Sequence, residues 1–531
     1  MMQTIPPPIP QPPPPPPPAV VQHHLRSIDD TIEQFLGHDF GWKQFIQSAV
    51  VSFAWFFDAQ QVFITIFTDK EPKWSLNNST AYNSYSSCKN RTNNICQLPK
   101  NSWSWDSPAR TSTISEWSLQ CESPVMRGLP ASSFLLGCLV GGLVLATLAD
   151  SKLGRKNVLI LACLIMSISG GLTAISKNIW MYAGLRFITG FARSTIGTCA
   201  FVLASELVGK KWRGKVGIIG FSCFTLGFLS LPIIAFLLRG SSWRLIYIYT
   251  CCPCVCYTLL VYATAHESPR WLLIKGRRRE FVKIIRSLTQ SSSCSRNVLL
   301  ENFSINYVAQ QKSQEDNNNN FYSALKMLLK RKWAFKRLVV AMIVGFGNGM
   351  AYYGSPLGLG NLPFDLYITV TCNALTELVA AWLMALMIGK LRRKNWLVGL
   401  SLFSGICSVV SVLVMLKGIQ IGMELLYFFS MCMAFDVSLI YASELFPTSV
   451  RNSAVSMVRE AGFLGGFLGP MLVAIGRKNG MLIYGVFGVT VFVTALFVIW
   501  LPETKGRTLC DTMEEEEDYK DGGVNNCVCS C

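Results

Sequence analysis

Twelve long apolar segments, separated by polar stretches, dominate this chain. They lie at approximately residues 42–67, 129–149, 158–175, 179–207, 214–238, 243–264, 338–359, 363–389, 395–416, 421–446, 453–476 and 481–501. These lengths are near the ~20 residues that a helix needs to cross the hydrocarbon core of a bilayer. The pattern therefore predicts an all-α, multi-pass membrane protein with twelve membrane-spanning helices.

The composition agrees with a membrane protein and argues against a soluble or nucleic-acid-binding one. The chain is 51% hydrophobic and 15% charged, whereas soluble domains are about 25% charged. In a soluble protein its net charge of +17 would suggest nucleic acid as a partner. Here the basic residues gather in short loops between spans, as the positive-inside rule expects of cytoplasmic loops. We therefore expect a surrounding lipid bilayer, no nucleic acid, and both termini in the cytoplasm.

The polar stretches divide the chain into five regions. Residues 1–40 form a proline-rich tail that we expect to be disordered and cytoplasmic. Residues 41–265 hold six spans and a large loop at 68–128, and residues 338–501 hold six more. A basic cytoplasmic linker, 266–337, joins these halves, and 502–531 is a second cytoplasmic tail.

The large loop carries features of an extracytoplasmic segment. It contains three N-x-S/T sequons, at Asn77, Asn78 and Asn90, which are acceptors for glycosylation. It also contains three cysteines, so that one disulfide with one cysteine left over is expected outside the cytoplasm. The candidates for that disulfide are Cys88, Cys96 and Cys121.

The two halves repeat short motifs at one spacing. Ala-Ser-Glu-Leu occurs around Glu206 and again around Glu444, an offset of 238 residues (444 − 206). Arg155-Lys-Asn recurs at the same offset as Arg393-Lys-Asn. Duplicated six-helix halves related by an axis along the membrane normal enclose a cavity near the midplane, as in alternating-access carriers. We therefore predict two six-helix pseudo-repeats and a transport function.

These motifs resemble those of the major facilitator superfamily. The charged turn at 148–157 is similar to its loop between helices two and three, although Ala146 replaces the leading glycine and one extra residue precedes Gly154. Glu267-Ser-Pro-Arg-Trp-Leu-Leu and Leu501-Pro-Glu-Thr-Lys-Gly-Arg resemble the ends of the two halves in sugar and organic-ion porters.

Four further segments resemble one family within that superfamily. Residues 114–121 and 444–452 are similar to segments of organic cation and anion transporters. Residues 57–61 and 150–156 resemble the plant-type branch of organic cation/carnitine transporters. The resemblance implies a carrier of organic cations such as carnitine, choline or polyamine-like molecules. A sugar or organic-anion porter, and a receptor that binds without transporting, remain the alternatives.

Charged residues inside spans are the first candidates for a substrate site, because ionisable groups at bilayer depth are costly. Asp58, Glu377 and Asp436 are the acidic candidates, and each either contacts substrate or pairs internally; for Asp58 the partner would be an arginine of span four. The resemblance implies that a charge in span eleven follows the charge of the substrate. This chain offers both Arg459 and Glu460 there, which suits a substrate bearing both charges or simply ends a cytoplasmic network.

Aromatic residues add candidates because quaternary ammonium groups bind over ring faces. Tyr352 and Tyr353 in span seven and Trp382 in span eight are placed for this role, or else for packing and lipid contact.

Asp150 lies at the negative pole of a helix dipole and therefore needs a partner. Together with the repeat, this predicts a cytoplasmic latch that closes between the halves and biases the carrier toward its outward-open state. We assign to it Asp150, Arg155, Glu206, Arg213, Glu444 and Arg451.

The sequence lacks the motifs of other functions. It has no Walker A pattern and no nucleophile elbow, so that neither ATP-driven transport nor an enzyme is expected. No cofactor and no metal ligands are expected either. The sequence does not decide between the plasma membrane and the vacuolar membrane. It is compatible both with uniport and with coupling to protons through a carboxylate such as Asp58.

Overall fold

The computed structural model describes residues 41–76, 95–99, 102–145, 153–209, 212–288, 321–362, 364–387, 389–390, 392–414, 416–476, 480–505 and 513–520. In these ranges twelve helices are long and apolar enough to cross a membrane. We number them α1 (Trp42–Thr68), α2 (Pro124–Leu145), α3 (Arg155–Thr173), α4 (Ile179–Glu206), α5 (Arg213–Leu237), α6 (Trp243–Thr264), α7 (Lys332–Asn361), α8 (Leu366–Met387), α9 (Arg393–Leu413), α10 (Lys417–Glu444), α11 (Thr448–Ile475) and α12 (Ile483–Trp500).

Several of these helices have local irregularities. Helix α1 consists of three helical stretches, Trp42–Ser52, Ala54–Phe63 and Thr65–Thr68, and α4 of two, Ile179–Arg193 and Ile196–Glu206. Proline lies inside five of the helices, and such prolines remove a backbone hydrogen bond that neighbouring helices in a membrane can compensate. The irregularities in α1 and α4 flank the ionised groups described below.

Short elements lie at the two ends of the bundle. The loop face, where α1 ends and α2 begins, carries the antiparallel pair β1 (Trp74–Leu76) and β2 (Trp103–Trp105). The linker face lies at the opposite end, where α6 ends and α7 begins. Shorter helices of the chain are Thr113–Glu116 on the loop side, and Pro269–Ile274, Arg278–Leu288, Phe321–Lys330 and Met513–Lys520 on the linker side.

Four of the observed helices start four or more residues earlier than the apolar pattern predicts, and one of them, α2, begins at Pro124 rather than 129. Helix α7 begins at Lys332 rather than 338, α10 at Lys417 rather than 421, and α11 at Thr448 rather than 453. Their first turns contain basic or hydroxyl side chains, which a helix continues through but an apolar pattern does not count. Hydropathy therefore reports the apolar part of a helix and not its hydrogen-bonded length.

Much of the loop between α1 and α2 is fixed to the first half. Cys96 and Cys121 form a disulfide. Glu116 accepts a hydrogen bond from the indole N–H of Trp243, with 2.7 Å between Oε2 and Nε1, and forms an ion pair with Arg244. Both partners begin α6, so the end of the loop cannot move independently of that helix. Cys88, Asn77, Asn78 and Asn90 lie outside the described residues.

Glycines allow two helix pairs to pack at very short distance. A Cβ atom on Gly190 of α4 would lie 1.9 Å from the carbonyl oxygen of Phe134 in α2. In the second half, a Cβ atom on Gly465 of α11 would lie 2.0 Å from the carbonyl oxygen of Phe346 in α7. Small residues are the usual means by which membrane helices approach each other. In each pair the helix backbones consequently come into direct contact.

Between the halves, α2 packs on α11 and α5 packs on α8. The hydroxyl of Ser132 donates to the carbonyl oxygen of Phe467 across the first of these contacts, at 2.8 Å. These two contacts frame the space in which the charged residues of the spans meet.

Substituting Gly190 by alanine should destabilise the protein, because the added methyl group must push α2 away from α4; overpacking of this kind costs about 1–3 kcal/mol. We expect a lower midpoint of thermal unfolding for purified Gly190→Ala in detergent. Gly184→Ala on the same helix is the matched control, since nothing lies within 4 Å of the added atom. Equal midpoints for the two variants would contradict the close-packing account.

Candidate functional site

The centre of the first half contains a buried ion pair. Arg193 of α4 donates from Nε to Oδ1 of Asp58 at 2.6 Å and from Nη2 to Oδ2 at 3.2 Å. Asp58 is 2% exposed and Arg193 is 8% exposed. The two-pronged geometry matches the planar guanidinium to the planar carboxylate. Asp58 thus has the internal span-four partner that the sequence allowed, and its charge is compensated in this conformation.

Helix α11 brings further charge beside this pair. Two guanidinium groups lie near the Phe463 ring, with 5.6 Å between its centroid and Cζ of Arg193 and 5.9 Å between its centroid and Cζ of Arg459. Arg459 donates to the carbonyl oxygen of Ser194 in α4 at 3.4 Å, which is a contact between the halves. One aromatic ring is therefore near cations from both halves.

Glu460 is the less compensated partner in the α11 pair. Its Oε1 lies 3.9 Å from Nη2 of Arg459, and neither carboxylate oxygen has a hydrogen-bond partner among the described residues. The carboxylate packs against Gly142 of α2, where a Cβ atom would lie 1.9 Å from Oε1. A buried carboxylate with so weak an ion pair has unused hydrogen-bonding capacity at the boundary between the halves.

The second half supplies an acidic and aromatic group. The hydroxyl of Tyr352 donates to Oε1 of Glu377 at 2.6 Å, while Oε2 of Glu377 has no partner among the described residues. The Tyr352 ring stacks on Phe435 with 4.6 Å between centroids and 9° between planes. Asp436 follows Phe435 and is half-buried, and among the described residues no hydrogen bond or ion pair is seen for its carboxylate. These acids therefore lack the cationic partner that Asp58 has.

Tyr353 connects the two groups. Its ring centroid is 5.9 Å from that of Phe463 and 5.1 Å from that of Tyr352. The structure thus gathers seven of the eight predicted substrate residues around these rings: Asp58, Tyr352, Tyr353, Glu377, Asp436, Arg459 and Glu460.

Trp382 is the exception. Its indole N–H donates to the hydroxyl of Ser222 in α5 at 2.9 Å, and the residue is 54% exposed. It bridges α8 and α5 at the edge of the bundle and stands apart from the aromatic rings above.

The loop face is closed above this centre. Nζ of Lys70 donates to the hydroxyl of Tyr367 at 3.1 Å, across the halves. Phe67 stacks on the Tyr367 ring at 5.7 Å, and Phe236 meets it edge-on at the same distance. The sequence reasoning missed these residues because they sit at span ends, where aromatic and basic residues are expected from lipid contact alone.

Asp69 anchors the closing segment next to Lys70. Its Oδ1 accepts from the hydroxyls of Thr68, Thr113 and Tyr182, at 3.0, 2.9 and 2.9 Å. Burial raises the pKa of this carboxyl, and the three hydroxyl donors act in the opposite direction. The end of α1, the loop and α4 are held together at one oxygen atom.

The linker face carries the same ion-pair network in each half. Arg155 lies 3.0 Å from Glu206, and Ser268 donates to that carboxylate. Arg393 lies 3.2 Å from Glu444, and Thr504 donates to Glu444 at 2.6 Å. These contacts lie within their halves, between helices that the repeat relates.

The other members of the predicted latch are placed as follows. Arg213 begins α5 and Arg451 lies in the first turn of α11, so both are at the linker face. Asp150 lies outside the described residues. Glu267 accepts hydrogen bonds from the backbone N–H groups of Arg155 and Lys156, each at 3.1 Å, and so caps α3. Burial raises the pKa of the Glu267 carboxyl, against the lowering effect of these donors.

A carboxylate that the sequence reasoning passed over lies deep in the second half. Glu424 of α10 is 2% exposed and its Oε1 accepts from Nδ2 of Asn373 at 3.1 Å. In the predicted span, 421–446, it fell close to the end, where a charge is unremarkable. Helix α10 begins at Lys417, which moves Glu424 into the second turn, away from the end.

Among the described residues no group of three or more His, Cys, Asp or Glu side chains is arranged to hold a metal ion.

Comparison with known proteins places this geometry in a class. The family "Sugar (and other) transporter" matches residues 40–515. Solved structures of the xylose transporter XylE from E. coli share the fold: an inward-open structure aligns with a TM-score of 0.62 and 18% identity over 89% of this chain and 98% of that chain. A structure titled as the proton:xylose symporter XylE gives a TM-score of 0.59 and 16% identity, over 90% and 98% of the chains. The fold is that of a major facilitator transporter with two six-helix halves.

Closer relatives narrow the class. "Organic cation/carnitine transporter 3" of Arabidopsis thaliana is 52% identical over 93% of this chain and 94% of its own length. "Organic cation/carnitine transporter 2" of the same plant is 49% identical over the same shares. "Solute carrier family 22 member 2" of Oryctolagus cuniculus is 29% identical over 79% of this chain and 74% of that protein. The chain belongs to the organic cation/carnitine transporter family, on the branch that the Arabidopsis members represent.

These relatives confirm the family that the motifs predicted, and their names confirm the expectation of a transporter rather than an enzyme. The twelve helices confirm an integral, multi-pass membrane protein.

Removing Arg193 should leave Asp58 as an uncompensated buried charge. Breaking a buried ion pair at one partner costs about 3–5 kcal/mol, so Arg193→Gln should unfold at a clearly lower temperature than the parent protein. The double variant Asp58→Asn/Arg193→Gln should regain part of that loss, because no stranded charge remains. A double variant as unstable as the sum of the two single variants would show that the pair is not coupled.

Proposed function

We propose that this protein carries small organic cations, such as carnitine, choline or polyamine-like molecules, across a membrane by alternating access. Support comes from the named activities of its Arabidopsis relatives, described as organic cation/carnitine transporters. It comes also from the chemistry at the centre of the bundle, where acids without cationic partners lie beside aromatic rings.

One observation carries the proposal. Glu377 and Asp436 have no cationic partner among the described residues. Glu377 accepts from Tyr352, whose ring stacks on Phe435, and Asp436 follows Phe435 in α10. A cation placed there gains attraction to two carboxylates and to ring faces. This attraction is strongest where water is excluded. A cation from solution thereby compensates the negative charge that no cation of the protein neutralises.

The α11 pair extends the site to substrates with two charges. Arg459 and Glu460 lie at the boundary between the halves, and both Glu460 oxygens are without hydrogen-bond partners. A carboxylate on the substrate pairs with Arg459 while its ammonium group faces Glu377 and Asp436. Carnitine, which bears both groups, fits this pattern.

The proposal includes an orientation. The loop face is extracytoplasmic, with glycosylation at Asn77, Asn78 or Asn90, and the linker and both tails are cytoplasmic. The membrane is the plasma membrane or the vacuolar membrane. A cytoplasm-negative potential drives cation entry by about 2.3 kcal/mol per charge per 100 mV.

Coupling to protons is part of the proposal. Asp58 and Arg193 compensate each other in the present conformation. Protonation of Asp58 releases Arg193 and changes the charge next to Phe463. A proton taken up from one side thereby alters the site that the organic cation occupies, and transport is symport.

Two alternative functions make different demands on the same residues. A sugar or organic-anion porter has no use for Glu377 and Asp436 as charges. A receptor binds the cation but gives no time-dependent accumulation.

Neutralising Glu377 should weaken cation transport more than any packing change nearby. We expect Glu377→Gln to raise the KM for radiolabelled choline or carnitine by about tenfold or more, which corresponds to ~1.4 kcal/mol of lost binding. Tyr352→Phe should raise it by less, because only the hydroxyl donor to Glu377 is lost. Uptake into proteoliposomes made with full-length protein measures both.

Tyr249→Phe serves as the matched control, since that tyrosine is 57% exposed on the outside of α6 and should transport normally. Cation uptake unchanged in both Glu377→Gln and Asp436→Asn would contradict the assigned site. Saturable binding without accumulation would instead favour the receptor.

Gating is the second part of the mechanism. We propose as a cytoplasmic latch Asp150, Arg155, Glu206, Arg213, Glu444 and Arg451, of which Arg155, Glu206 and Glu444 belong to the linker-face networks within the halves. Within each half, an arginine clamps a glutamate that also holds the segment following the sixth helix of that half.

Loss of these pairs should alter cycling and leave the central site intact. Glu206→Gln and Glu444→Gln should each lower the maximal uptake rate severalfold while the KM stays within about twofold of the parent value, the pattern expected when no substrate contact is removed. Asp150→Asn should behave in the same way. A large rise in KM with a normal maximal rate would exclude a purely gating role.

A further inference from the structure

Glu424 occupies an environment without a cation. No lysine or arginine among the described residues forms an ion pair with it, and the residue is 2% exposed. Its Oε1 accepts from Asn373, while Oε2 has no hydrogen-bond partner among the described residues. An isolated ionised carboxylate is among the costliest groups to bury.

The partner on α8 is itself incompletely satisfied. Asn373 is 0% exposed, and its Oδ1 atom has no hydrogen-bond partner among the described residues. Oδ1 of Asn373 and Oε2 of Glu424 are thus two buried oxygens without a donor in the described part of the chain. One proton bound to the carboxylate would supply a donor. Polar atoms this deeply buried are normally paired.

In the described part of the chain, the ionisable groups that face Glu424 are acids or neutral donors. Tyr427 and Cys432 lie on α10 itself, Tyr484 faces it from α12, and Glu377 lies one turn along α8 from Asn373. Helices α7, α9 and α11, which also pack on α10, contribute no charged partner to Glu424 among the described residues. The surroundings therefore disfavour the carboxylate anion and offer it no counter-ion.

The position of Glu424 along α10 suits the exchange of a proton with one side of the membrane. Glu424 is seven residues from Lys417, the first residue of α10, or about 10 Å along the helix axis at 1.5 Å per residue. That end of α10 is at the loop face, which is closed between the halves by Lys70 and Tyr367.

We infer that Glu424 is a proton-binding site that couples the proton gradient to the carrier cycle, with Asn373 as its hydrogen-bonding partner. This rests on the proposed function. A proton from water on the loop side forms an O–H bond at Oε2 and neutralises the carboxylate, which permits its burial in the loop-closed state. The same O–H bond breaks when a later state readmits water, and the proton leaves to that water. The organic cation crosses in the same cycle.

Infrared spectroscopy tests the protonation independently of transport. Difference spectra of the reconstituted full-length protein, recorded as pH is stepped, should contain a protonated-carboxyl band that Glu424→Gln removes. Asn373→Ala should shift that band, because its hydrogen bond is lost. Asp436→Asn is the control and should leave the Glu424 band in place. Spectra identical in the parent protein and Glu424→Gln would overturn the inference.

Transport measurements test the coupling. An imposed proton gradient should speed choline or carnitine uptake by the parent protein, and Glu424→Gln, which mimics the protonated acid, should lose that stimulation entirely. Exchange of external for internal substrate should stay within about twofold of the parent rate, because exchange needs no deprotonation. Glu424→Asp keeps an ionisable group and should regain stimulation with a shifted pH profile.

The possible results distinguish a failure of this inference from a failure of the proposed function. A Glu424→Gln variant that transports the cations and still responds to the proton gradient overturns the inference alone. A parent protein that transports the cations but ignores the proton gradient overturns the inference and the proton coupling within the proposed function, while cation transport itself stands. Stimulation by a sodium gradient in place of a proton gradient, lost in Glu424→Gln, would also overturn the inference. If no cation is transported, the proposed function fails, and the infrared band alone decides whether Glu424 binds a proton.

Discussion

Charge buried in the middle of a helix bundle is the constraint on which the rest of this structure depends. The first half meets it internally, since Asp58 and Arg193 form two charge-assisted hydrogen bonds. The second half does not, because Glu377 has only the Tyr352 hydroxyl and Asp436 has no described partner. The second half therefore keeps negative charge that no described cation compensates. On the proposed function, selectivity for the sign of the substrate follows from this deficit and not from any single contact.

The sequence predicts the helices, the repeat and the charged residues well, and for one physical reason. Each of these depends on composition or spacing along the chain. What it misses depends on rotation about helix axes and on contacts between distant segments. Trp382 faces Ser222 at the edge of α5 instead of the central rings. Glu424 lies in the second turn of α10, away from the helix end, because the helix begins at Lys417 in a polar turn that hydropathy discounts. The sequence identifies Asp58 as a charged residue within a span. Only the packing of α4 on α1 shows that Arg193, and not Arg186, compensates its charge.

Rigid halves make the charge arrangement usable for transport. In α2–α4 and α7–α11, backbones approach so closely that a methyl group would overlap a carbonyl oxygen. Such pairs slide poorly and move together. The contacts between the halves add single hydrogen bonds and ring contacts, such as those of Ser132 and Tyr367, to the packing of α2 on α11 and of α5 on α8. Arg459 and Glu460 lie at this boundary, so that a change of charge there acts directly on the contact between the halves.

The two halves are alike at the linker face and differ at the centre of the bundle. The linker-face networks around Glu206 and Glu444 are copies, each with an arginine and a hydroxyl donor at the matching position. Copies of one ion-pair network at matching positions hold the helices of each half in the same way, which fits the gating role proposed above. Among the described residues the centre has no such copy, since the first half carries an acid paired with arginine and the second carries acids without cations. The two halves therefore differ in how much buried negative charge they leave uncompensated. Helix α11 connects the two regions, because its Arg459 contacts Ser194 in the other half.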